Sequence, residues 1–456
     1  MDENQCEDAS AAEPAPARRL GAFDATMIVM GGMIGAGIFV NPSIVARLVP
    51  TPALVLGAWA LGGVVALIGA FVYAELAVLR PRVGGQYAYL RDAFHPMVAF
   101  LYGWTLLLVV QTGGMAGCAI IFGRYFREVT GLAVPEQVLA VTILATLTLI
   151  NCFGVRAGSN VQSVLMLLKL GAIALLIGVG WIAIGPAAAS PVAAARAGGG
   201  SWAGFAAAMV PVLFAYGGWQ TASFVSGEMR NPRRDLPRGL LVGVVLVVAL
   251  YLAVTFVCLR VLGLEGLAAT TTPASEVMRR ALGEPGARII ALGIAISTAG
   301  FLSQGILTAP RVYYAMARDG VFFQAVGRLD SRSHAPVVAI MLQGGWACVI
   351  ALSGKYDQIL NYVVAIDVLF FGLTGASLLI FRARANAPKT DGNAASENFV
   401  RVPLHPVTTV LFVLICWAVA LTTIVKSPRD AGIGVGILAV GALVYAVWRR
   451  PLRPPI

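Results

Sequence analysis

The chain has 456 residues, 58% of them hydrophobic and 12% charged, with a mean hydropathy of +0.82. A soluble globular domain carries roughly 25% charged residues, so the composition excludes an ordinary soluble protein. The net charge of +11 does not point to nucleic acid, because the cations sit in short segments between apolar runs.

The first 19 residues are polar and rich in Ala, Pro and Glu. They lack the ordered regions of a signal peptide and read as a disordered cytoplasmic tail. Beyond them, apolar runs of about 20 residues recur, each long enough to cross roughly 30 Å of hydrocarbon as a helix. They predict twelve spans, at 24–46, 53–79, 96–123, 134–153, 160–187, 202–229, 237–262, 286–316, 335–353, 357–382, 405–426 and 431–448. Between spans, VGGQYAYLRDAF (83–94) has the pattern of an amphipathic interfacial helix. TPASEVMRRALG (272–283) has helical spacing and is placed across the outer mouth, and 385–402 is the one flexible loop. An even number of spans puts both termini on one side. With the termini inside, cytoplasmic segments hold 21 Lys and Arg and outer ones 11, with Lys169 inside a span. This bias places both termini in the cytoplasm.

The anomalies are glycines where a spanning helix should be continuous. Span 1 reads MIVMGGMIGAGIFVNP and span 6 reads MVPVLFAYGGWQTASF. Each glycine costs about 1 kcal/mol in a helix interior, and a cluster favours unwinding. Unwound backbone at membrane depth is tolerated where it lines a cavity. The half-helix that follows a break offers free N–H groups to a carboxylate, and the half-helix before it offers carbonyls to an ammonium. A zwitterionic α-amino acid matches both. Two breaks about 180 residues apart are the spacing of two inverted five-helix repeats around a midplane site. The plainer account is that the glycines only let helices pack closely.

These motifs resemble the amino acid–polyamine–organocation permeases. GAGIF (35–39) resembles their G-S-G-I-F motif, and FAYGGW (214–219) resembles the sixth helix of the L-type amino acid transporter branch. YAEL with GGQYAYL (73–90), NCFGVRAGSNVQSVLMLLK (151–169) and GEMRNPRRDLP (227–237) agree. The resemblance implies an all-α, LeuT-like membrane fold of twelve helices with helices 1 and 6 unwound at mid-membrane. Its parts are a first five-helix repeat over 20–187 and a second, inverted, over 202–384. A cytoplasmic loop (385–404), two further helices (405–448) and a cytoplasmic tail (449–456) follow. It also implies that the N–H groups of Ala36, Gly37 and Ile38 hold a substrate carboxylate. The carbonyls of Ile34, Phe214, Ala215 and Gly217 would hold its ammonium, Phe214 would be a lid, and Gln220 stands where the branch usually has Asn. Ala36 departs from the family's Ser and removes one hydroxyl donor. Lys169, by the same resemblance, replaces a sodium ion, or exchanges a proton, beside carbonyls of 31–34 and the hydroxyls of Ser297, Thr298 and Ser303. Eukaryotic L-type transporters are disulfide-linked to a single-span glycoprotein through a cysteine in the outer loop after span 3. The corresponding segment here (124–133) has none, so no such partner is expected.

Charges at membrane depth are functional candidates. Asp367 lies mid-span and could carry a proton, balance a charge, read a substrate side chain or pin two helices. Glu75 and Glu228, at the inner ends of spans 2 and 6, are candidates for gating or structure, Glu228 beside Arg230. Six scattered cysteines without a CxxC spacing give no zinc site and read as small buried hydrophobes. His95, His334 and His405 lie far apart at span ends, and no P-loop, G-x-S-x-G or HExxH occurs. The expected activity is therefore transport of α-amino acids across the inner membrane, by exchange or proton symport, with no cofactor and no metal. An intramembrane enzyme, or a channel or receptor on the same fold, is the competing class. Small neutral substrates come first, and Asp367 keeps cationic ones open.

Overall fold

The computed structural model describes residues 20–80, 84–153, 155–183, 202–330, 335–353, 356–385 and 400–448. The expected tails, the body of the 385–402 loop and the end of span 5 at 184–187 lie outside these residues. All regular structure among the described residues is helical. The one pairing of extended backbone is a bridge between Leu20 and Met229, which ties the start of the first helix to the end of the sixth span.

The first predicted span is a helix pair, α1 (Ala22–Met33) and α2 (Gly37–Leu48), bent by 44°. Helix α3 (Pro52–Leu79) starts where Thr51 accepts from Leu54 N at 3.3 Å and Pro52 presets the first turn. Helix α4 (Gln86–Ala93) is short. Helices α5 (Pro96–Thr105) and α6 (Gln111–Thr130) are joined by a π-helical stretch at Leu106–Val110. There follow α7 (Glu136–Cys152), α8 (Val155–Ala183), α9 (Trp202–Tyr216) and a 3-10 helix at Trp219–Glu228. Then come α10 (Pro232–Ala269), α11 (Pro273–Thr308) and α12 (Pro310–Arg318). Helices α13 (Val337–Ser353), α14 (Tyr356–Ala385), α15 (Val407–Lys426) and α16 (Pro428–Trp448) complete the order.

Nine of the described helical segments are long and apolar enough to cross a membrane, and the bent α1–α2 pair makes ten. Helices α7 and α13, 17 residues each, are apolar but shorter. Large side chains such as Leu167, Trp181, Val245, Leu414 and Leu443 are exposed on the outside of the bundle, a pattern that suits lipid and that a soluble monomer avoids.

The stretch after span 2 is helical, as its pattern predicts, and Gln86, Tyr87, Ala88, Tyr89, Leu90 and Ala93 of α4 are buried. Gln86 donates to the Phe370 carbonyl and the Thr374 hydroxyl of α14 at 3.3 and 3.0 Å. The presumed outer loop 124–133 is helix as far as Thr130, and Gly131 (φ 68°) stops it. The helical stretch at 272–283 is the first part of α11, separated from the remainder by Gly283 at φ 70°.

Candidate functional site

The break in the first span runs through Ile34, Gly35 and Ala36. Helix α1 ends with Ile34 at ψ 86°, and α2 restarts at Gly37. The N–H groups at a helix start have no partner within the helix, so those of Ala36, Gly37 and Ile38 are presented at the break. The carbonyls released at the end of α1 are taken up by other helices. Lys169 of α8, 1% exposed, donates to Gly31 O at 3.3 Å and to Ile34 O. The Tyr251 hydroxyl of α10 donates to Met33 O at 2.7 Å. An ammonium at the negative end of α1 is the favoured sign of charge there.

The second break is built differently. Helix α9 closes with Gly217 N donating to Phe214 O at 3.2 Å, and Gly218 then takes φ 101°. The 3-10 helix begins at Trp219. Gly218 N donates to Gln220 Oε1 at 2.9 Å. Thr221 Oγ1 donates to Gly218 O at 2.7 Å and accepts from Gln304 Nε2 of α11 at 3.0 Å. Tyr251 also lies 3.2 Å from Ala215 O, so one hydroxyl serves both breaks.

The breaks touch. A Cβ on Gly32 would lie 2.6 Å from Gly218 O, one on Gly218 would run into the Gly32 carbonyl, and one on Gly37 would lie 2.9 Å from Ala215 Cα. Between them is a cavity of about 70 Å³, several times the ~10–15 Å³ that one water needs. Phe214 lines it and lies edge-on to Tyr356 at 6.1 Å. The Tyr356 hydroxyl bonds Asn41 Oδ1 at 2.9 Å, and Asn41 Nδ2 donates to Pro211 O at 2.6 Å. Trp219 packs on Tyr73 at 4.7 Å and on Phe371 at 5.1 Å.

Of the residues expected at the site, Ala36, Gly37, Phe214, Ala215, Gly217, Gln220 and Asp367 line this one cavity. Ile34 and Ile38 are fully buried and outside its lining. Three of the four expected carbonyls already accept one donor: Ile34 from Lys169, Phe214 from Gly217 N, and Ala215 from Tyr251. A carbonyl has two lone pairs, so a second donor is still possible. Lys169 is held by carbonyls rather than hydroxyls. Thr298 instead donates within its own helix, and Ser297 has no partner among the described residues. Glu75 lies away from the cavity, gripped by Arg382 at 2.6 and 2.7 Å and by Val402 N at 2.7 Å. Glu228 pairs with Arg311 of α12 at 3.1 Å. Asp367 makes no hydrogen bond or ion pair among the described residues, and its Oδ2 lies 3.8 Å from where a Gly217 Cβ would stand.

Sequence reasoning missed Gln111, Gln304, Tyr251 and the Gly32–Gly218 contact. The two glutamines carried a usable signal, since each is an amide inside an apolar run (LLLVVQTGG and FLSQGIL). Tyr251 in VVALYLAVTF carried none. Among the described residues no group of His, Cys, Asp and Glu could hold a metal ion.

The family model described as amino acid permease matches residues 20–447. The serine/threonine exchanger SteT of Bacillus subtilis (strain 168) is 28% identical over 440 residues, which cover 94% of this chain and 96% of that one. The large neutral amino acids transporter small subunit 2 of Mus musculus is 29% identical over 444 residues, covering 94% and 80%. The b(0,+)-type amino acid transporter 1 of Homo sapiens is 29% identical over 417 residues, covering 90% and 83%. These relatives are transporters, not enzymes. The family match and the apolar helices of spanning length together make the chain an integral membrane protein.

Proposed function

The chain belongs to the amino acid permease family, and from that premise we propose that it is a sodium-independent permease for α-amino acids. It resides in the cytoplasmic (inner) membrane with both termini inside and works by alternating access, as an exchanger or a proton symporter. The observation that carries this reading is the cavity between the two helix breaks, lined by Ala36 and Gly37 at the start of α2 and by Phe214, Ala215 and Gly217 at the end of α9. Opposite poles at that spacing suit a zwitterion better than any solute of single charge. The twelve-span architecture adds α7 and α13 to the ten longer spans, with two inverted repeats of five and two further helices.

Lys169 acts as a fixed cation in place of sodium. A charge at membrane depth costs about 3 kcal/mol on the mildest insertion scale, and the carbonyls of Gly31 and Ile34 offset it. Small neutral substrates are the first choice, and serine is the first to try because one relative is a serine/threonine exchanger. No disulfide-linked partner is assigned, since 124–133 holds no cysteine.

The test is uptake of radiolabelled L-serine into proteoliposomes, with and without unlabelled serine inside and with and without sodium. Saturable uptake stimulated by preloading and indifferent to sodium is expected. A requirement for a sodium gradient would overturn the role of Lys169. Serine methyl ester and N-acetylserine should compete poorly, and competition equal to that of free serine would remove the carboxylate and ammonium anchors. A thermal-shift screen against the twenty amino acids covers other side chains, because a ligand at 100 times its Kd stabilises by about 2.7 kcal/mol.

A further inference from the structure

Five tyrosines carry buried hydroxyls with no hydrogen-bond partner among the described residues; apart from Tyr216, which packs on Trp59 and Tyr251, they are Tyr73, Tyr89, Tyr102 and Tyr313. The side-chain oxygen of Gln86 is in the same condition. These four and Gln86 are a conspicuous cost, since an unmet buried polar group is worth about 1–3 kcal/mol. They come from four helices, α3, α4, α5 and α12. Tyr73 of α3 lies edge-on to Tyr89 of α4 at 6.2 Å, and Tyr102 of α5 packs on Phe370 of α14 at 5.4 Å. Tyr73 also lies edge-on to Phe371 of α14 at 6.4 Å, so Tyr73 and Tyr102 pack on neighbouring rings one helical turn beyond Asp367. Thr374 lies near the Tyr73 hydroxyl but outside hydrogen-bonding geometry.

Asp367 thus stands at a seam, with its carboxylate in the cavity wall and these tyrosines beside it. The titratable groups nearest to it are neutral ones: Tyr73, Tyr102, Cys416 of α15, and Cys118 of α6 across the cavity. The nearest charged residues on α3 and α14, Glu75 and Arg382, are paired with each other. Lys169 is engaged with the end of α1. A bare carboxylate at this depth needs a counter-charge or a proton, and a bound zwitterion brings no net charge.

We propose that Asp367 is a proton-binding site of the transport cycle, connected by the Tyr102 and Tyr73 hydroxyls to the end of the bundle closed by Glu75 and Arg382. The proposal rests on the reading of the cavity as an amino acid site and commits that reading to proton symport. Asp367 takes a proton while the cavity faces outward and carries it as a carboxylic acid beside the substrate. It then releases that proton inward and is left as a carboxylate. A hydroxyl both donates and accepts, so each tyrosine that receives a proton passes its own onward, with water between members, and ends unchanged.

Two measurements test this on the purified full-length protein. Infrared spectroscopy needs no substrate. A protonated carboxyl band that disappears in Asp367→Asn is expected, with hydrogen–deuterium exchange of that band slowed in Tyr102→Phe and Tyr73→Phe. In proteoliposomes, an inward pH gradient should drive accumulation of L-serine by the wild type. Asp367→Asn should abolish that accumulation, and Tyr102→Phe should cut its initial rate by about tenfold, or ~1.4 kcal/mol on the barrier, while leaving serine exchange at equal pH intact. Serine exchange that ignores the pH gradient would overturn the proposal. So would a carboxyl band unaffected by Asp367→Asn, or phenylalanine variants that behave as wild type in both measurements. Failure of serine to be carried at all would count against the substrate assignment, and the infrared result would still decide the proton site.

Discussion

The two helix breaks solve the same problem by different means. At the first, the carbonyls of Gly31, Met33 and Ile34 are satisfied from a distance, by Lys169 of α8 and Tyr251 of α10. At the second, most of the work is local. Gln220 and Thr221 hold the two backbone groups of Gly218 within a three-residue reach, and Gln304 of α11 and Tyr251 of α10 add bonds from elsewhere. A break held by a distant side chain depends on the relative position of two helices, so it can respond when the bundle rearranges. A break held by its own residues moves as a unit. The first is therefore the place where a change of packing is felt at the site, and the second is the fixed wall.

The largest expected effect sharpens that contrast at its distant partner. Lys169→Ala leaves two buried carbonyls unmet, at about 1–3 kcal/mol each, and removes the charge that balances the end of α1. Serine uptake should fall by about 100-fold or more, and added sodium should not restore it. Uptake within a few-fold of wild type would mean that the first break holds itself.

A smaller but still severe effect belongs to the contact between the breaks. Gly218→Ala forces a side chain onto φ 101° and onto the Gly32 carbonyl, a backbone strain of roughly 1–3 kcal/mol before any clash. Gly217→Ala finds its nearest atom at 3.3 Å and should be mild. Serine binding to the purified variants, followed by thermal shift, should separate the two. Equal losses would show that φ at Gly218 is not the constraint. Gly37→Val should resemble Gly218→Ala, because its Cβ meets Ala215.

The smallest effect tests the local wall. Thr221→Val loses the bond to Gly218 O and leaves Gln304 Nε2 without its acceptor, at about 1–2 kcal/mol in all. Melting temperature should drop while serine affinity changes only a few-fold. If affinity instead fell as far as in Lys169→Ala, the two breaks would be equally dependent on their partners.

The sequence alone was enough to place the apolar helices and to mark where two of them break. Span length, glycine clusters and prolines at helix starts act over one or two turns, and the predicted spans fall on helices or helix pairs to within a few residues at most of their ends. The glycines also located the cavity, because backbone exposed at membrane depth has to face something polar. The partners were decided only by tertiary structure. Arg311 of α12 meets Glu228, Gln304 of α11 meets Thr221, and Tyr251 joins the two breaks. The short amphipathic helix α4 turned out buried for the same reason: its pattern records that one side is polar, while Thr374 and the Phe370 carbonyl, more than 280 residues away, supply what that side touches. Hydrogen bonds at membrane depth are settled by whichever helix lies opposite, and that neighbour is a property of the packed bundle rather than of any local run of residues.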